Sequence, residues 1–551
     1  MSYAITCFND NYSKEKFILY YGKIMVQKIR NYDVVVIGAG SGGLTAGAIL
    51  AKEGLDVVIF ESNTQVGGYL AGFHRGEFQF DSSVQWLSQA SPGGILFRLW
   101  NYLGKNAPQC PSLKRIHRWV GPEHDYVLTS DPIELCNTLI KDFPKDEKGI
   151  QRFFKDAKKL AVHMKLINCL MRTVPTLSLF EKIKKGFLMA RHGLPMMPYI
   201  KIPVEKLLKK YFSTPKLRDI FRSQEGFAAV IFPVAWAFCD DFQAAPEGGT
   251  AAIANWLSNV VQDNKGEVRL CTSVSRVLVD ASNTAYGVIL SDNTEIRSRY
   301  VIAACDLFNL YQNMLPSFVV SKETIEKIGK AEMHSSSFSV FLGLDCTSQE
   351  LGFGEEVINM VTDNPNRMDH TSSDPHKTII MVVAPSVRDK TLAPLSKGTL
   401  MIHCPANMDY GDHWKTGSKR KRGEDYLAFK EEFAEILISR VASRLAPDLQ
   451  KHIEVKNIAT PVTYERYSHN HFGTIMGVKP STANIKARLA QMKTPVKNLF
   501  IGGHCAEYGG GVPIASRAGA NASAFILKEL KNPGFLNLKA VLDSSLPSLD
   551  N

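Results

Sequence analysis

Gly38, Gly40 and Gly43 stand in the spacing GxGxxG, and Glu61 follows 18 residues beyond Gly43. The first glycine makes a tight turn, the second lets backbone approach a pyrophosphate, and the third lets helix and strand pack closely. A carboxylate at the distance of Glu61 accepts from ribose hydroxyls. A second pair, Gly67 and Gly68, closes TQVGG six and seven residues past the acid. At the far end, GGHCAEYGGGVPIASRAG carries Gly502, Gly503, Gly509, Gly510, Gly511 and Val512. Two titratable groups lie in that turn, His504 and Glu507. They are candidates for proton transfer or cofactor tuning, and each reads equally as structural. Asp81 reads as a helix N-cap or turn residue. No Ser-His-Asp set and no metal-ligand spacing is evident, and none of the ten cysteines forms a CxxC pair. That cysteine usage fits a reducing compartment.

Short elements must hold these residues in place. Asp33–Ile37, DVVVI, reads as a buried parallel strand. Leu44–Lys52 reads as a helix stopped by Gly54, and Leu55–Phe60 as a second strand delivering Glu61. Strand, turn, helix, strand and acid in that order bind an adenine dinucleotide, with the helix N-terminus facing the phosphates. Asn498–Ile501 is a further strand, and a helix is expected from Ala515 to Leu527. The second glycine turn therefore also opens onto a helix start.

Residues Gly40 to Glu61 match GxGGLxxAxxLxxxGxxVxxxE, with Gly47 at the alanine position. Pro246, Gly248, Gly249, Trp256 and Val274 follow a Pro-x-Gly-Gly, helix, strand pattern, and Val301–Asp306, VIAACD, resembles a strand returning to the core. Thr460-Pro461-x-Thr463 with Gly473 and Gly477 forms a late signature. Together these resemble the carotenoid and retinoid redox flavoproteins (phytoene desaturases, carotenoid isomerases and retinol saturases) over about residues 31–530. The resemblance implies an α/β fold: a Rossmann-like FAD-binding domain of the glutathione-reductase-like class, a discontinuous mixed-sheet substrate domain and a helical cap. It implies FAD, held by Gly38, Gly40, Gly43, Glu61, Gly67, Gly68, Val274, Gly503, Gly511 and Val512, with the Val274 backbone on the adenine. It implies redox chemistry at C–C bonds of an apolar polyene or isoprenoid: desaturation, saturation or redox-dependent isomerisation. Two departures stand out. Tyr69 replaces the arginine of desaturases, as in isomerase- and saturase-like members, and Ser83 replaces a glycine near the flavin. An amine-oxidase-like flavoenzyme and a non-enzymatic prenyl-lipid carrier of the GDP-dissociation-inhibitor type share the N-terminal motif or fold and remain alternatives.

The expected organisation is an extension at 1–30, FAD-binding segments at 31–110, 241–306 and 495–532, a helical basic cap at 111–240, a substrate domain at 307–494 and a loosely ordered tail at 533–551. Strands are expected at Phe338–Leu344, Thr378–Ala384 and Thr399–His403. Met25 reads as an alternative start. No signal peptide is apparent in residues 1–30.

The chain of 551 residues carries a net charge of +11. Lys155–Arg218 holds 15 basic and three acidic residues, against 50 and 51 in the rest. Five methionines and five prolines accompany that +12, cutting it into short amphipathic helices of a kind that lies on anionic membranes. Gly226–Cys239 is apolar over 14 residues but too short to span a bilayer. The expectation is a cytoplasmic protein on a membrane face, without a nucleic-acid partner; Lys415–Arg422, KTGSKRKR, reads as a solvated loop.

Overall fold

The computed structural model describes residues 30–543, apart from 222–226, 363 and 365. Met25, Gly226 and the end of the expected tail lie outside them. Two large sheets organise the chain.

The first sheet has the order β7-β2-β1-β10-β9-β8. Its strands are β1 (Asn31–Ile37), β2 (Val57–Phe60), β7 (Glu267–Arg269), β8 (Val274–Val279), β9 (Ala285–Leu290) and β10 (Glu295–Ala303). β1 runs parallel to β2 and β10, and β7 parallel to β2. The near end of β10 pairs with β9, and its far end runs parallel to β16 (Leu499–Ile501). Every residue of VVVI in β1 is buried because both sheet faces are covered. Val34, Val36, Val57 and Ile59 pack beneath helices Ser41–Lys52, Thr250–Asp263 and Gly511–Glu529. Val35, Ile37, Val58 and Phe60 pack on the opposite face with β8 and β9 residues. The helix expected from Ala515 starts four residues earlier, at Gly511, and runs to Glu529.

The second sheet has the order β15-β11-β14-β13-β12-β5-β6. The strands are β5 (Arg115–Val120), β6 (Asp125–Thr129), β11 (Ser336–Leu344), β12 (Val357–Met360), β13 (Ile380–Val383), β14 (Gly398–Ala406) and β15 (Ile453–Ala459). A small hairpin, β3 (Phe73–Arg75) with β4 (Phe78–Phe80), leads from the glycine pair toward it. One face is apolar: Phe338, Val340, Leu342, Ile358, Val382, Leu400 and Ile402 pack against the helix Glu424–Leu445. The alternating side chains of the same strands are partly polar, a pattern of two residues that gives the sheet two unlike sides.

Two expectations on organisation change. Residues 115–129 were expected inside the helical cap, yet RIHRWV alternates as a strand and β5 runs parallel to β12, so this hairpin is the edge of the second sheet. The helices of the basic segment follow it, from Pro132 onward. The tail expected from Pro533 instead begins with helix Gly534–Leu542. Leu538 and Leu542 are fully buried against the first sheet's helices, worth roughly 1.5–3 kcal/mol each as an upper bound. The apolar run forms the helix Phe227–Ala237, with Val230, Ile231, Val234 and Ala235 fully buried.

Candidate functional site

β1 ends at Gly38, whose N–H donates to the Phe60 carbonyl at 2.8 Å. Gly40 caps helix Ser41–Lys52 with an ordinary φ of −74°. A Cβ at Gly40 would meet nothing within 4 Å, so this backbone faces open space beside a helix N-terminus. Gly43 differs. A Cβ there would lie 2.0 Å from the Gly38 carbonyl oxygen and 3.1 Å from Ala304 Cβ, so its hydrogen is what lets the helix sit on the turn. The pair Gly67 and Gly68 folds back against this loop, and Gly67 N–H donates to Ala39 O at 2.8 Å.

Glu61 is buried at the end of β2. Its Oε1 accepts from Asn63 N and Nδ2, both at 2.9 Å, and from Ser62 Oγ at 3.3 Å. Its Oε2 accepts one bond, from Ala39 N at 2.8 Å, and keeps a lone pair. The carboxylate thus ties the glycine loop to β2 and retains capacity for a hydroxyl. Thr272 N–H donates to Glu61 O at 2.8 Å, which lays the chain entering β8, and hence Val274, beside the acid.

The other glycine turn arrives at the same place. Gly503 packs on Ala304, which also faces Gly43. Gly511 and Val512 open the helix Gly511–Glu529, and Ser516 Oγ meets Ser41 Oγ at 2.7 Å. Two helix N-termini from opposite ends of the chain therefore converge, and first-turn N–H groups have no partner within their own helix. Together they favour anions there.

His504 and Glu507 separate from each other. His504 is partly exposed, with Nε2 buried and unpartnered among the described residues; burial lowers its pKa, and Asp306 opposes that. Glu507 Oε2 accepts from Arg517 Nε at 2.7 Å. The pair borders a cavity of about 540 Å³ whose walls include Met171, Val174, Lys185 and Met189.

Sequence reasoning passed over the polar side of the second sheet. Asn359 pairs with Met381, Met381 with His403, and His403 with Ser339, so these residues form one row across four strands. At one end the row meets an aromatic cluster of Phe78, Phe80, Phe341 and Tyr464, next to Tyr69. At the other end His117 and Trp119 of β5 lie against Phe242 and Phe221. Tyr69, in place of the arginine, donates to Thr474 O at 2.8 Å, and burial pushes its hydroxyl up to about 12. Asp81 accepts from Thr250 N and Oγ1 at 2.8 Å, so it caps helix Thr250–Asp263 from a distant segment. Ser82 Oγ donates to Tyr69 O at 2.9 Å. Asp241 accepts from Gln89 N–H, and burial beside Asp240 pushes its carboxyl up to about 7. Lone polar residues in otherwise apolar strands were the only signal for this row. A surface cluster of Asp345, Cys346 and His452 brings three donor atoms within 4.8 Å, outside this site.

A family model described as an NAD(P)-binding Rossmann-like domain matches residues 36–103. Rat all-trans-retinol 13,14-reductase is 26% identical over 86% of this chain and 82% of its own length. A zebrafish protein named inactive all-trans-retinol 13,14-reductase is 25% identical over the same shares. Phytoene desaturase of Fusarium fujikuroi is 25% identical over 92% of this chain and 90% of its own. Over most of its length the chain is similar to proteins of the carotenoid and retinoid redox family. Its relatives bear the names of reductases, desaturases and isomerases, which makes this a family of redox enzymes. Putrescine oxidase superposes with a TM-score of 0.58 at 16% identity, covering 91% of this chain and 99% of that one, a likeness of fold.

Proposed function

We propose that this protein is an FAD-dependent oxidoreductase acting on carbon–carbon bonds of a long apolar polyene or isoprenoid. The observation that supports it most is the convergence of two glycine-capped helix starts beside Glu61, with open space at Gly40. Bound there, FAD supplies two-electron hydride chemistry. Gly38, Gly40 and Gly43 with the first helix would hold its pyrophosphate, and Glu61 Oε2 a ribose hydroxyl. Gly67 and Gly68 close over the pyrophosphate, and the Val274 backbone would face the adenine. Gly503, Gly511 and Val512 would offer N–H groups to the flavin end. The chain carries one such fingerprint, so a nicotinamide coenzyme would not have a second Rossmann domain. Purified protein should be yellow, or become so on adding FAD. A colourless protein that takes up no FAD would overturn the reading. Expression in a carotenoid-accumulating host, with retinoid and pigment analysis, tests the substrate class against an amine.

The membrane-face reading gains support from helix Leu179–Leu188. Leu179, Ile183 and Phe187 recur every four residues, and with Phe180 they are 64–77% exposed. The helix is nonetheless held firmly from behind. Arg172 bridges Glu181 at 2.6 Å and Asp543 at 2.5 Å, and Lys185 Nζ donates to Arg172 O at 2.5 Å. An apolar face fixed outward among lysines fits an anionic bilayer surface. The cavity beside Glu507 shares Val174 and Met189 with this segment. No helix among the described residues is long and apolar enough to cross a membrane.

A further inference from the structure

His403 sits mid-row on the polar side of the second sheet, 2% exposed. Its Nδ1 lies 2.8 Å from Ser339 Oγ, which lies 2.7 Å from the Tyr464 hydroxyl. Tyr464 in turn donates to the Ser82 carbonyl at 3.1 Å. A carbonyl only accepts, so the single hydroxyl hydrogen of Tyr464 is spent on Ser82. Ser339 must then give its hydrogen to Tyr464, His403 Nδ1–H must give its own to Ser339, and Ser337 Oγ, 3.2 Å from Ser339 Oγ, can only donate to it. The direction of this chain fixes the tautomer: Nδ1 is protonated, and Nε2 carries a lone pair. Burial holds the imidazole pKa down at about 4, so it stays neutral at physiological pH. Nε2 is buried and has no hydrogen-bond partner among the described residues.

The surroundings say what such an acceptor meets. The row neighbours Asn359 and Met381 stay partly exposed, and Asn359 Nδ2 lies 3.0 Å from His117 Nδ1 toward the cap. Phe341 stands edge-on to the His403 ring, 6.3 Å between centroids. Gln85, from the segment that follows the glycine pair, reaches Met381 Sδ at 3.8 Å. Nε2 is thus a fixed acceptor beside Phe341 and Met381, with the amides of Asn359 and Gln85 further along the row, on the sheet side that meets the dinucleotide-binding half.

We propose that His403 Nε2 accepts a hydrogen bond from a hydroxyl on the substrate, so that this chain takes an isoprenoid alcohol in preference to a hydrocarbon or an ether. The inference rests on the polyene reading above and narrows it. A site built around a buried polar group rejects an analogue that leaves the group unpaired far better than it rejects a change in apolar size.

The test compares binding of all-trans-retinol and its O-methyl ether to the FAD-loaded full chain, read by tryptophan fluorescence without turnover. Wild type should bind the alcohol at least tenfold more tightly, and His403→Phe should bind both alike with unchanged FAD content. Tyr464→Phe combined with Ser337→Ala keeps the histidine and leaves Nδ1 as the acceptor for the Ser339 hydroxyl, which moves the imidazole proton to Nε2. In that variant the ether should gain on the alcohol. Equal binding of both ligands by wild type would overturn the inference alone. So would a preference that persists in FAD-loaded His403→Phe, or one unchanged in the Tyr464→Phe, Ser337→Ala double variant. Failure of wild type to bind either ligand would overturn the polyene reading and this inference together.

Discussion

Gly40→Ala and Gly43→Ala separate cofactor binding from folding, because they add the same methyl group in opposite surroundings. At Gly40 the backbone is already in a conformation any residue adopts, and a Cβ meets no atom within 4 Å. The apoprotein should therefore melt within about a degree of wild type, or slightly higher, since alanine restricts the unfolded chain. The methyl instead fills the space through which a pyrophosphate approaches. Displacing one or two hydrogen bonds to a charged phosphate, at about 1.5–3 kcal/mol each, weakens FAD binding by one to several powers of ten. At Gly43 a Cβ would sit 2.0 Å from the Gly38 carbonyl, so turn and helix must part. Overpacking of that kind costs roughly 1–3 kcal/mol or more before any ligand is added. Differential scanning fluorimetry of apoprotein and titration with FAD read the two quantities separately. Undiminished FAD affinity in Gly40→Ala, or a Gly43→Ala apoprotein as stable as wild type, would refute the reasoning.

Replacing Leu179, Phe180, Ile183 and Phe187 by serine should cut co-sedimentation with anionic vesicles at least tenfold while FAD content stays unchanged; equal recovery would count against membrane docking. Asp241→Asn should stabilise the protein, because its folded carboxyl titrates near 7 against about 3.9 unfolded. A raised acid loses stability as pH climbs through that window, so the gain should grow from pH 4 to 7, flatten above, and reach at most about 4 kcal/mol; thermal melts across pH check it. Glu181 behaves oppositely. Burial would raise its pKa, but Lys539, the Ser178 N–H and Arg172 outweigh that and hold it well below the carboxylate range. Glu181→Gln should therefore destabilise at neutral pH, with the deficit shrinking as pH falls below about 4.3; a deficit independent of pH would contradict the assignment.

The dinucleotide half was legible because its constraints are local in sequence. Gly38 to Glu61 spell a turn whose spacing follows from phosphate and helix geometry, and β1, the first helix and β2 lie where the pattern puts them. The edge hairpin β5–β6 was not legible, since its partner β12 lies more than 200 residues away and nothing in RIHRWV names it. Pro533 misled for a related reason: a helix of nine residues is held by burial of Leu538 and Leu542, not by propensity. The row at His403 was invisible because one histidine in an apolar strand gains meaning only from cross-strand neighbours. Asp81 was read as a cap, and it is one, but for a helix 169 residues downstream.

The meeting of Ser41 with Ser516 joins residues 475 apart. A ribosome making this chain exposes Ser41 and its glycine turn 475 residues before Ser516 emerges. Until then only one of the two helix starts is present, and the convergence at Ser41 and Ser516 cannot form. On the proposed FAD reading, cofactor supplied during translation should raise yield only once the helix Gly511–Glu529 has emerged, and truncation before residue 511 should leave the first motif without its counterpart.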